Sequence, residues 1–347
     1  MTVSQNNRDQ QNRELEDKIK ITGENWTALR MQLSDIILAN IFTNKKLGKK
    51  FPSIKTIYHY TSISGLIGII ETQSIYCTNI NFLNDKKEFK YGVNLIKKVI
   101  DKLQKENFEI SVLEMVSKHI DKIYKGERYV TCFSKNGDLL SQWRAYTNQG
   151  KGVSIGFDFI TFGDSIDQFV NGKHIEYEEN TQLQVIEELI RIIITFFLDR
   201  KEIIDWEDYG YEWLVNTVII EFLQNIIASY KSQSFKDEQE YRFEFVIDGN
   251  MIKKEDEEIH FRASDTLIIP YIILETKYRK FLKEKEKGKY DDYGEYPTYA
   301  IDKLPIKEII VGPSIDFESI ENGIAELLLK HKYENVRIKK SNIPYRI

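Results

Sequence analysis

A chain of 347 residues with 41% hydrophobic and 12% aromatic side chains holds apolar material for one large core or two modest ones, too much for a disordered segment. Its formal charge of −5 excludes a global basic field of the kind that holds nucleic acid without sequence preference. Two cysteines, Cys77 and Cys132, each lie inside an apolar run and form no CxxC, which excludes a disulfide framework and a thiolate metal site and points to a reducing compartment.

The first stretch, Met1 to Asp17, is polar and lacks the apolar core of a signal peptide, and residues to about 20 are expected to fray. Leu29, Leu33, Ile36, Ile37 and Ile41 then suit an amphipathic helix, closing an N-terminal helical extension over residues 1–50. A strand at Ile57–Thr61, a helix at Gly65–Glu71 and a strand at Ile75–Thr78 follow. Asp85 with Glu88 fits a capping box for a helix running to Leu103, and a helix at Val112–Tyr124 comes next. After a strand at Tyr129–Phe133, Asp138 is placed to cap a short helix carrying Trp143. In the strand Lys151–Phe157, Val153, Ile155 and Phe157 share one face and Gly152, Ser154 and Gly156 the other; a face of small residues lets something approach the backbone. Thr181 with Gln184 fits a second capping box, and helices to Lys201 and over Trp206–Tyr230 form a helical hairpin inserted at about 181–231. The run Ile192–Leu198 is too short to span a bilayer, so the expected localisation is cytoplasmic. Strands at Tyr241–Ile247, His260–Arg262, Leu267–Leu274, Ile306–Val311 and Asn335–Ile338, with a helix at Ile315–Leu329, complete a mixed α/β (α+β) chain. A Lys- and Tyr-rich loop occupies Lys283–Tyr299. With no internal repeat and no linker, residues 51–347 are expected to form one domain.

Three distant segments concentrate polar and aromatic side chains. His59, flanked by Tyr58, Tyr60 and Thr61, sits at a strand end, where sites tend to form; a core histidine bonded to a carbonyl is an equal reading. Trp143 and Tyr146, three apart on a helical turn, can share a face, one as core and the other as a stacking wall. Glu238 and Glu240 in extended chain place two carboxylates on the side away from Tyr241, Phe243 and Phe245; Glu240–Arg242 as a surface pair is the blander alternative, and by composition the commoner one. No GxGxxG, P-loop, HExxH or GxSxG is present.

These segments together resemble a bacterial family catalogued as domain of unknown function 2971. The matching stretches run from Tyr58-His59-Tyr60-Thr61-Ser62 through Phe82-Leu83-Asn84-Asp85, Cys132-Phe133-Ser134, Ser141–Tyr146 and Gly150-Lys151-Gly152 to Glu238, Glu240, Tyr241, Arg242 and Val311-Gly312-Pro313. The order of pieces also resembles the ADP-ribosyltransferase fold, a split-sheet core here carrying helical insertions. That resemblance implies NAD as substrate and no metal. His59, Tyr60 and Thr61 would hold the adenosine ribose, Tyr146 or Trp143 would stack on nicotinamide, and Arg144 and Arg242 would bind the pyrophosphate or orient Glu240. Glu240 would steady the oxocarbenium-like state while Glu238 engages a nucleic-acid or protein acceptor, as in a bacterial toxin or phage-defence effector. The reading requires His59, the Trp143–Tyr146 turn and Glu240 to converge on one cleft with room for a dinucleotide, and side chains of His59 and Glu240 on opposite sides of the sheet would end it. Two alternatives are a non-catalytic ligand-sensing or partner-binding module, and a metal-dependent phosphodiesterase using Asp85, Glu88, Glu238 and Glu240.

Overall fold

The structure, a computed structural model, describes residues 28–29, 31–37, 54–83, 88–108, 110–120, 127–166, 170–200, 219–247, 259–264, 266–286 and 301–345. In chain order its elements are β1 (Thr56–Ser62), α1 (Ile63–Thr72), β2 (Ser74–Asn79), α2 (Glu88–Lys105), α3 (Ile110–Ile120), β3 (Glu127–Ser134), α4 (Leu140–Tyr146), β4 (Gly152–Asp158) and α5 (Phe159–Ser165). They continue with β5 (Val170–His174), α6 (Glu179–Leu198), α7 (Ile220–Ile227), β6 (Glu240–Ile247), β7 (His260–Ala263), β8 (Ile268–Glu275), α8 (Lys277–Glu286), β9 (Ile306–Val311), α9 (Phe317–Lys330) and β10 (Arg337–Lys340). The chain is a mixed α/β protein, with parallel and antiparallel pairings in one sheet.

The chain divides into two compact units instead of the expected single domain with an extension and an inserted hairpin. One comprises Met1–Phe51, Lys87–Tyr124 and Glu178–Tyr230, and the other the remainder. The physical reason is that the helices have a core of their own. In α2, Phe89, Leu95, Ile96, Val99, Ile100 and Leu103 recur at helical spacing and bury one stripe against Leu113, Val116, Ile190, Ile193 and Leu223, with Leu33 and Ile37 in the same cluster. Exposed pairs such as Lys98–Glu179 (2.6 Å) and Lys102–Glu187 (2.7 Å) rim that core. The expected Thr181–Gln184 capping box does not open α6. α6 begins at Glu179, before Thr181, without a side-chain cap, and an acidic first turn suits the helix dipole there. Asp85 and the side chain of Glu88 lie outside the described residues, as do residues 287–299 of the Tyr-rich loop, while its residues 283–286 are the end of helix α8 and not loop.

In the second unit the sheet has ten strands among the described residues. It forks at β3. One edge of β3 pairs with β6 along its whole length, Glu127↔Ile247 to Ser134↔Glu240. The other edge pairs with β2 at Val130 and Tyr129 but with β1 only at Ser134. From there β1 leads to β4, β9 and β10, β2 leads to β8 and β7, and β6 leads to β5. Strand alternation gives this sheet one apolar face: Ile57, Phe133, Ile155, Phe157, Phe243 and Ile309 cluster there with Leu66, Ile70, Ile324 and Leu328 of α1 and α9.

Candidate functional site

The opposite face of the sheet carries the polar groups, and it is closed by the short helix α4. Register sets the frame: Tyr58 pairs with Ser134, and Ser134 with Glu240, so these three side chains leave β1, β3 and β6 on the same side. Cys132 and Arg242, also partners, stand beside them.

Glu240 is the centre. Its Oε1 accepts from Arg242 Nε (2.9 Å) and Nη2 (2.8 Å), and its Oε2 from Lys231 Nζ (3.0 Å). The same ammonium donates to Glu238 Oε2 at 2.5 Å and lies 5.0 Å from the centre of the Phe235 ring. Glu238 ends a 3-10 turn and Gln239 is left-handed (φ 47°), so the two carboxylates converge by a turn and not by extended alternation. Burial alone would raise the Glu240 pKa, but the Arg242 and Lys231 charges outweigh it and bring the carboxyl down to about 2. The expected solvent-facing pair is thus a correction: Glu240 (3% exposed) and Arg242 (0%) are buried, tolerable only because each charge has an opposite one against it. The row continues inward, where Glu244 pairs with Arg128 (3.0 Å) and with Lys173 of β5.

Tyr146, 39% exposed, borders this network. Burial, and then the nearby Glu238, push its phenol pKa up. Tyr177 places its hydroxyl 2.9 Å from the Glu240 amide, accepting from it, and the Cys132 thiol hydrogen-bonds the Glu240 carboxylate. Trp143 is fully buried and meets Tyr60 edge to face (4.8 Å), so it is core and cannot stack on a ligand. Tyr60 spends its hydroxyl on the loop before α4, donating to Asn136 O and accepting from Leu139 N, both at 2.9 Å. Arg144 is exposed and lies over the Tyr345 ring (5.3 Å).

His59 and Thr61 do not join this group. By alternation they leave β1 on the apolar face; the His59 ring stands 5.6 Å from Phe133, and Thr61 Oγ1 lies where a Cβ on Gly65 would fall. The ring fills the fork, with Nδ1 donating to the otherwise unpaired edge of β3 at Cys132 O (3.2 Å), and burial lowers its pKa so that it stays neutral. The ribose-holding role drawn for His59 and Thr61 beside Glu240 is therefore corrected to a structural one. Two further expectations change. Asp138 does not cap α4, whose first residue follows Leu139 without a side-chain cap. The small-residue face of β4 is filled by the protein itself: a Cβ at Gly156 would meet Glu308 and Tyr58 at 2.9 Å, and one at Gly152 would meet Thr61 O at 2.3 Å.

The segments converge, then, through Tyr60, Trp143, Tyr146, Glu238, Glu240 and Arg242. Sequence reasoning missed Lys231, Tyr177 and Cys132. Lys231 precedes the two glutamates by seven and nine residues, a spacing with no local signature. Among the described residues no group of His, Cys, Asp and Glu side chains could hold a metal ion; Glu238 and Glu240 meet an ammonium instead. No described helix is long and apolar enough to cross a membrane.

A family described as protein of unknown function (DUF2971) matches residues 142–243, the segment that runs from α4 to the middle of β6 and contains Trp143, Tyr146, Lys231, Glu238, Glu240 and Arg242. The family resemblance drawn from the sequence holds over that segment. No curated protein and no solved structure matches the chain.

Proposed function

We propose an ADP-ribosyltransferase-type enzyme of a different layout from the one the resemblance implies: His59 and Glu240 lie on opposite sides of the sheet, which ends the form with both in one cleft, and Glu240 alone would carry the chemistry. In that reaction the bond between nicotinamide and ribose breaks, nicotinamide leaves with the bonding electrons, and positive charge develops on the ribose until an acceptor nucleophile attacks and gives up its proton. The observation that carries the reading is the Glu240 carboxylate, ionised and held by Arg242 and Lys231 at the start of a strand. A charge fixed before the reaction steadies developing positive charge without reorganising at the moment of transfer. Glu238, sharing Lys231, is placed to take the acceptor proton, and the exposed ring of Tyr146 offers a stacking wall. The forked sheet is in keeping with a split-sheet transferase core. That likeness remains one of pattern. The loss of His59 narrows the reading to this carboxylate face.

A second reading is favoured by one observation: both oxygens of Glu240 are already paired, which suits a ligand-sensing module with no turnover. Nicotinamide release from NAD, with and without cell extract, separates the two. The transferase reading expects release that falls by about a hundredfold or more in Glu240→Gln, the scale of losing one preorganised electrostatic contact. Binding of NAD by calorimetry without any release supports the module, and neither binding nor release removes NAD from consideration.

A further inference from the structure

We propose that residues 341–345 form a strap that fixes α4 through Asp138, making Asp138 and Ser341 positioning residues for Tyr146. The inference rests on the proposed site for its consequence, though not for its geometry. Asp138 Oδ1 accepts from Trp143 Nε1 (2.7 Å) on α4 and from Ser341 Oγ (2.5 Å), while Oδ2 accepts from the Asn342 amide (2.7 Å). One carboxylate thus ties the loop before α4, the middle of α4 and the segment after β10. The strap is itself seated on both sides of that tie. The Ser341 amide donates to Val311 O (2.9 Å), Ser341 Oγ accepts from the Ile343 amide (3.1 Å), Ile343 packs on the Tyr60–Trp143–Ile310 cluster, and the Tyr345 ring underlies Arg144.

The arrangement matters because α4 is too short to fix its own position. It spans seven residues, has no side-chain cap at its start, and its one fully buried large side chain is Trp143. A helix of two turns is marginal on its own, so tertiary contacts must set its position. Trp143 is anchored by the strap at one end of the indole and by Tyr60 at its face, and Tyr146 lies one turn further on, beside Glu238 and Glu240. An aspartate that failed to cap the helix from its own N-terminal side therefore secures it from the side of the fold where the site lies.

Amide hydrogen exchange of the full chain tests this, using Asp138→Asn, Ser341→Ala, Ser341→Thr and a chain ended after Lys340. Removing charge-assisted bonds to Asp138 is expected to speed exchange across residues 140–147 by roughly tenfold or more in Asp138→Asn and in the shortened chain. Ser341→Ala removes one of the three bonds to Asp138, together with the acceptor of the Ile343 amide, and is expected to give a smaller acceleration, and Ser341→Thr, which keeps the hydroxyl, none. Amides of β6 should be unchanged throughout. Unaltered exchange in 140–147, or equal acceleration in β6, overturns the strap. With NAD as the probe, Asp138→Asn and the shortened chain are expected to raise KM several-fold while kcat changes less, because a stacking wall has moved and the carboxylate has not, and Ser341→Thr is expected to leave both unchanged. A wild-type chain that releases no nicotinamide would sink the functional reading alone, and exchange would still decide the strap.

Discussion

The two faces of β6 are both buried and are held by opposite physics. On one, Phe243 meets Phe133 and Tyr241 meets Phe159 edge to face, Phe162 tilts against Phe243, and Phe245 joins the same cluster, burying area whose removal from water is favourable at about 25 cal/mol per Å². On the other, Glu240, Arg242 and Glu244 are as inaccessible, yet each has lost its hydration and regains it only through a specific partner. The first face tolerates any well-fitting apolar neighbour. On the second, removing one partner strands the other's charge, whereas replacing a whole pair by apolar side chains of similar volume is often neutral or stabilising, so stability alone does not account for a row of charges beside an accessible tyrosine, and this is what supports the proposal of chemistry on this side.

Substitutions that treat the faces alike should expose the difference. Phe243→Ala leaves a cavity among Phe133, Phe162 and Tyr241 and is expected to lose about 3–5 kcal/mol. Arg242→Met strips Glu240 of its closest cation and should lose a similar amount, roughly 3–5 kcal/mol. The double change Glu240→Leu with Arg242→Met is expected to recover most of that second loss, since no carboxylate is then left stranded at position 240 and Lys231 keeps Glu238. The opening free energy of the slowest-exchanging amides in β3 and β6 reports each value for the sheet unit itself. A double variant as weak as Arg242→Met would show that the charged face is needed for folding.

Acid should separate the faces next. Glu240 has a folded pKa of about 2 against an ordinary 4.5, so its contribution is complete above pH 4.5 and is lost as pH falls from 4.5 towards 2. Glu240→Gln should flatten that limb of a stability–pH curve measured by the same exchange. Persistence of the limb in the variant would assign it to other carboxylates.

Much of this contrast was legible in the sequence and part of it was not. The alternation of Tyr241, Phe243, Phe245 and Ile247 announces β6 and its apolar face, and the same period marks β1 and β4. What it cannot announce is what covers the other face. Glu240, Arg242 and Glu244 read as solvent-facing because the cations come from elsewhere: Lys231 reaches Glu240 from the far side of a turn, and Lys173 reaches Glu244 from β5, whose Val-Asn-Gly-Lys-His carries no strand periodicity. Asp138 reads as a cap because Asp before a short helix usually is one, and only the return of the chain at Ser341, 203 residues later, turns it to another use. His59 reads equally as site or core, and what decides it is the fork, a feature of how β1 and β2 share one edge of β3 and not of any local pattern.

The smallest effect belongs to a residue that sits on the apolar face as an intruder. His174 of β5 meets Tyr241 edge to face at 4.9 Å, and burial, with Lys135 adding to it, lowers its pKa to about 4 from an ordinary 6.5. Above pH 6.5 the imidazole is neutral in the folded and unfolded chain alike, and it contributes no pH dependence. Between 6.5 and 4 the unfolded chain takes up a proton that the fold resists, so stability declines; below 4 the loss is constant. The sheet unit should therefore weaken in acid in two stages, the upper from an imidazole on the apolar face and the lower from a carboxylate on the charged one. His174→Phe is expected to abolish the upper stage and leave the lower intact. Loss of both stages in that single variant would mean the two faces titrate as one, and the separation between them would fail.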